Sequence, residues 1–174
     1  RPVRTACDDL REPHVSNQIL RTLHARVVHQ VLQRFLLASL LLTAAPAARV
    51  ERAMRNPYVN VVAHPTGRIL GRRDGIELDI DRLLEVAAET GTALEINSGP
   101  DRLDLDDVNA RAARDRGIPI CVDADAHHPE QLGWVDVGIG QARRAWLEAA
   151  DVLNTQPLQA VQEFVARKRR NANV

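Results

Sequence analysis

The sequence predicts an α/β protein built from parallel βα units, and three observations carry that reading. Short apolar runs at Val59–His64, Thr92–Asn97 and Ile118–Asp123 have the length and composition of strands. Segments with apolar residues at helical spacing stand between them. The alternation repeats at about 30 residues per unit, the size of a strand plus a crossover helix.

Val59–His64 opens the pattern as a strand. Asp79–Thr90 (DIDRLLEVAAET) follows as a helix, with Leu83, Leu84, Val86 and Ala87 on one face and Gly91 as its stop. Thr92–Asn97 is the next strand. Leu105–Arg116 is the next helix, with Asp104 as the expected N-cap and Gly117 as the stop. Ile118–Asp123 is the third strand, and Trp134–Ile139 reads as a short fourth. Gln141–Ala149 and Pro157–Arg170 close the chain as helices, the second with proline at its start. Residues 1 to about 48 lack this regularity and show helix-forming stretches without clean starts or stops.

Bulk properties exclude several classes. The 174 residues suffice for one domain with a sizeable core. Lys and Arg balance Asp and Glu at 23 each, so no global basic field attracts nucleic acid. The tail Arg167-Lys168-Arg169-Arg170 reads as a solvated helix end, where cations oppose the dipole. Aromatic residues make up 3%, too few for a base-stacking platform. Cys7 and Cys121 form no disulfide framework and fit a reducing cytoplasm; Cys121 falls mid-strand as a small core residue. The start shows no signal peptide, and the apolar run from Phe35 to Ala48 is interrupted by Pro46 and falls short of the roughly 20 residues of a membrane span.

The chemistry concentrates where predicted strands end. Asp125 and His127 stand two residues apart just past the third strand, a spacing that puts side chains on one face of extended backbone. His64 closes the first strand. Imidazole and carboxylate together suit a borderline divalent ion such as zinc or manganese. Arg68, just after Gly67, offers a planar fork for a phosphate, or else a surface ion pair. His24 and His29 are five apart, on different helix faces, and make no joint site.

Taken together, His64-Pro65-Thr66-Gly67-Arg68, Leu94-Glu95-Ile96-Asn97, Asp101-Arg102-Leu103-Asp104-Leu105 and Asp125-Ala126-His127 resemble the last part of the PHP (polymerase and histidinol phosphatase) domain. Order, spacing and flanks look most like the PHP domain of bacterial family X DNA polymerases, over about residues 49–166. The resemblance implies a partial (βα)7-type barrel with a cluster of divalent ions, zinc or manganese, at the carboxyl ends of its strands. It implies phosphoester hydrolysis, and in the polymerase branch 3′–5′ exonuclease trimming of DNA 3′ ends. By position, His64, Asp125 and His127 match metal ligands, and Glu95 and Asn97 support them or face the substrate.

The chain also departs from the family. The family opens this domain with a His-x-His pair, and none occurs in residues 1–63. Leu37-Ala38-Ser39-Leu40-Leu41 stands where a histidine-bearing strand is expected. The reading is therefore a non-homologous or frameshifted segment over 1–48 joined to the carboxyl-terminal part of a PHP domain over 49–174. Three ligands hold one zinc in principle but rebuild no multi-metal cluster. A half-barrel leaves strand edges open, so impaired activity is expected unless an upstream chain completes it. A histidinol-phosphatase-type phosphomonoesterase and a non-catalytic fragment are the alternatives.

Overall fold

A computed structural model describes residues 46–172; the expectations for residues 1–45 lie outside them. Five α-helices and a three-stranded parallel sheet form the described residues: α1 (Pro46–Arg55), β1 (Val61–Val62), α2 (Ile80–Thr90), β2 (Ala93–Asn97), α3 (Asp107–Asp115), β3 (Ile120–Asp123), α4 (Val135–Arg144) and α5 (Leu158–Ala172). The strands lie in the order β1-β2-β3, with Val61 opposite Ala93, Leu94 opposite Ile120 and Asn97 opposite Asp123. Sequential parallel strands joined by helices are the winding of a partial (βα)7-type barrel.

The sheet has two faces of different chemistry. Leu94 and Ile96 of β2, with Ile120 and Val122 of β3, pack against Leu83, Leu84, Val86 and Ala87 of α2 and Ala110 and Ala113 of α3. Strand alternation sends Ala93, Glu95 and Asn97, and Cys121 and Asp123, to the opposite face. There the amino-terminal half is apolar: Ala93, Val61 and Cys121 meet Leu153 and, from α5, Val161 and Phe164. The carboxyl-terminal half carries the acids. Every residue of β2 is buried, as expected of a central parallel strand covered on both sides.

The helix ends follow local chemistry. The Asp79 side chain accepts from the Arg82 N–H at 3.0 Å, and Gly91, at φ 62°, turns the chain out of α2 in the left-handed conformation glycine favours. Asp106, not Asp104, caps α3, accepting from the Asn109 N–H at 2.8 Å. Asp104 is wholly buried and serves the site instead.

Two further expectations are corrected. Residues 134–139 form no strand: a 3₁₀ turn over Pro129–Trp134 runs into α4. Val-Asp-Val-Gly-Ile-Gly alternates like a strand, but the buried residues are Gly138, Gln141 and Ala142. That is helical spacing, and the small residues let α4 approach the sheet closely. The basic tail is not wholly solvated either. Lys168 is buried, its ammonium donating to Met54 O at 2.5 Å, Val59 O at 2.6 Å and Thr92 Oγ1 at 2.7 Å. It ties α5 to the base of the sheet.

Candidate active site at the carboxyl ends of the strands

β1 is shorter than expected because the chain turns sharply at His64, a non-glycine residue at φ 30°. The Gly67 N–H closes that turn on His64 O at 2.9 Å. Two acids from elsewhere hold it. The Glu95 carboxylate accepts from the His64 N–H. Asp104 accepts from the Thr66 N–H at 3.0 Å and the Gly67 N–H at 2.7 Å. The His-Pro-Thr-Gly turn is thus a cap built by buried carboxylates of β2 and the loop after it.

The same loop receives Arg68. Its Nε donates to Arg102 O at 2.9 Å, Nη2 donates to Leu103 O, and Nη1 lies 3.6 Å from Asp106. Arg68, expected to meet a phosphate, is placed here as a clamp on the Arg102–Leu103 turn.

The second half of the site follows β3. The strand ends at Asp123, and Asp125 enters the left-handed region at φ 48°. Two-residue alternation therefore does not carry through to His127. The Asp125 N–H donates to Asp123 Oδ1 at 2.6 Å. The Asn97 amide, wholly buried on β2, reaches Asp125 Oδ2 at 3.1 Å and accepts from the Gly99 N–H at 3.0 Å. His127 is exposed and sets Nδ1 2.7 Å from Asp125 O, with Gln131 Oε1 accepting its N–H at 2.6 Å. A protonated Nδ1 donating to that carbonyl leaves Nε2 as a ligating lone pair, the arrangement metal-binding histidines use.

Glu95, Asp123 and Asp125 bring three acids to one strand-end region. Burial drives the Glu95 carboxyl well above the usual carboxylate range, and the charges of Asp123 and Asp125 push the same way. The His64 N–H and the Asn97 amide oppose that shift. Burial also pushes the Cys121 thiol up, with Asp123 and Glu95 adding to it, so this cysteine is an inert thiol. Asp123 is a participant the motifs do not single out. Its parity with Asp125 was the available signal in the sequence, and the structure sets it opposite Asn97.

His64, Asp125 and His127 supply the imidazole and carboxylate donors that zinc or manganese takes, and a bound ion there would supply an activated water and charge neutralisation. The donor types fit. The arrangement does not close: among the described residues, no three His, Cys, Asp or Glu side chains gather into a set able to hold an ion.

A parallel α/β sheet with acids and imidazoles at its carboxyl-terminal edge has the layout in which α/β folds build their sites. The chain is 44% identical over 119 residues to the DNA polymerase/3′-5′ exonuclease PolX of Bacillus subtilis, a match covering 68% of this chain and 21% of that protein. It is 29% identical over 140 residues to a probable phosphatase of Caldanaerobacter subterraneus and 28% identical over 127 residues to one of Thermoanaerobacter sp. strain X514. The match covers 52% of the first phosphatase and 49% of the second, so the chain spans about half of those relatives and about a fifth of the polymerase. No family model matches it. Over the matched residues the chain is the counterpart of the carboxyl-terminal part of the PHP domain of bacterial family X DNA polymerases.

Proposed function

We propose that the chain is part of a metal-dependent phosphoesterase that removes nucleotides from DNA 3′ ends. The observation that carries this reading is the 44% identity to a polymerase/exonuclease. The supporting geometry is a pair of hydrogen bonds near the strand ends, from the His64 backbone N–H to Glu95 and from the Asn97 amide to Asp125. In this reading His64, Asp125 and His127 ligate zinc or manganese. Glu95 and Asn97 hold those ligands in place or face the substrate. Ligands from outside the described residues, or from an upstream chain, complete the metal set. Residues 1–48 are read as a non-homologous or frameshifted segment, which the encoding nucleotide sequence tests: an alternative frame should encode a His-x-His.

The matches to probable phosphatases favour a second reading, a phosphomonoesterase. One experiment separates the two. The purified chain is analysed for bound metal beside His64→Ala and Asp125→Ala, then assayed on a 3′-ended oligonucleotide and on a phosphomonoester. Stoichiometric zinc or manganese lost in both variants, with oligonucleotide shortening, is the expected result. Turnover of the monoester alone selects the phosphatase reading. A metal-free parent inactive on both substrates makes the chain a non-catalytic fragment.

A further inference from the structure

Charge is segregated between the two ends of the sheet. The carboxyl-terminal end gathers Glu95, Asp104, Asp123 and Asp125, while the amino-terminal end opens into a basin of about 520 Å³. Arg55, Arg116, Arg167 and Lys168 line it together with one carboxylate, Glu89. With Asp81, which pairs with Arg116, counted beside Glu89, the side chains leave an excess of two positive charges around one concavity of a chain whose formal net charge is zero.

Cations at helix carboxyl ends are ordinary neutralisers of the dipole, and α1, α2 and α3 all end here. Each end supplies roughly half a negative charge, about 1.5 in total. That is below the excess, which Arg167 and Lys168 carry, so dipole neutralisation does not wholly consume the field.

The donors are also available. The Arg167 guanidinium lies over the Phe164 ring at 5.4 Å, and no carboxylate pairs with it among the described residues. Arg116 pairs through Nη2 at 2.8 Å with Asp81, whose side chain is 82% exposed, and donates Nη1 to Ala112 O at 3.1 Å, while Arg55 pairs at 3.1 Å with the half-exposed Glu89. Such solvent-exposed pairs exchange partners at little cost. Lys168 has all three protons committed to protein acceptors and contributes its charge from beneath the basin. Guanidinium forks match phosphate oxygens in pairs, and the volume falls within the roughly 300–1,000 Å³ of small-molecule sites.

We propose that this basin binds a phosphate-bearing small molecule of nucleotide size, held by Arg55, Arg116 and Arg167, at the opposite end of the sheet from the candidate active site. The proposal is independent of the reaction assigned above.

Inorganic pyrophosphate and ATP are titrated calorimetrically into the full chain at constant ionic strength, with sodium sulfate as the comparison. Arg116→Gln and Arg167→Gln remove one fork each, and Arg143→Gln on the exposed face of α4 is the control. Circular dichroism checks that each variant retains the parent's helix content, and the exposed positions make loss of fold unexpected. Saturable one-site binding of pyrophosphate or ATP, weakened at least tenfold in R116Q and R167Q but not in R143Q, supports the proposal. Absence of saturable binding overturns it, as does equal weakening in all three variants or sulfate binding as strong as pyrophosphate.

Discussion

Asp104 Oδ2 lies 2.7 Å from the Gly67 N–H and 3.0 Å from that of Thr66, across 37 and 38 residues of sequence. With Glu95 on the His64 N–H, this carboxylate fixes the turn that carries His64 through its backbone amides. The loop after β2 and the loop after β1 are therefore one mechanical unit, closed again by Arg68 on Arg102 O.

Asp104→Ala is expected to lower stability by about 2–4 kcal/mol, because two amides lose an ionic acceptor in a dry environment. Asp104→Asn keeps one acceptor oxygen and should lose less. Urea denaturation measures both, and hydrogen exchange at the Thr66 and Gly67 amides should accelerate locally in the alanine variant. Unchanged exchange at those amides would refute the capping role.

Arg68→Lys keeps the charge and loses the fork that spans two carbonyls and reaches Asp106. The expected cost is about 1 kcal/mol, close to that of Arg68→Ala, since geometry rather than charge makes the clamp. Faster proteolysis within residues 99–104 should accompany it. Full rescue by lysine would show that charge alone suffices.

Gly138→Ala places a Cβ 1.8 Å from Ser98 Oγ and 2.9 Å from Val122 Cγ1. Overpacking of this kind costs about 1–3 kcal/mol. Ser98→Ala should be nearly neutral, because the buried Ser98 hydroxyl has no hydrogen-bond partner among the described residues. The double variant Ser98→Gly/Gly138→Ala should recover most of the loss. Thermal melts of the parent, Ser98→Gly, Gly138→Ala and the double variant decide it; additive losses would place the clash elsewhere.

Lys168→Met should destabilise the chain by about 2–4 kcal/mol by leaving Met54 O and Val59 O short of a donor. Burial lowers the Lys168 ammonium from 10.5 to about 8. Between those values the unfolded chain binds the proton and the folded chain does not, so stability from this group rises as pH increases from about 8 toward 10.5. The gap between parent and Lys168→Met should be constant below that window and widen through it. The three acceptors oppose the shift, so the widening is smaller than burial alone would produce. Denaturation curves from pH 7 to 10 give the answer, and a gap that narrows with rising pH would contradict it.

Element type was legible wherever one periodicity dominated. Leu83, Leu84, Val86 and Ala87 define a helix whatever it packs against, and all four are buried. Residues 134–139 were misread because two glycines among alternating valines satisfy a strand pattern, while only the approach of Ser98 and Val122 reveals why position 138 must be small. Asp104 was misplaced for a related reason: an acid shortly before a helix is a plausible N-cap, and choosing between Asp104 and Asp106 requires knowing where the chain's other amides point.

The sequence by itself determined the order of strands and helices, the positions of Glu95 and Asn97 on the second strand and of His64 just past the first, and the resemblance those motifs carry. These follow from side-chain periodicity and local turn chemistry, which act over a few residues. Only the tertiary structure decided that His64 and Asp125 occupy left-handed backbone, that Arg68 clamps a turn, that Lys168 is buried and that the basic residues gather beneath the sheet. Each of these depends on partners 28 or more residues away in the chain or on the packing of whole elements, and local pattern carries no record of such partners.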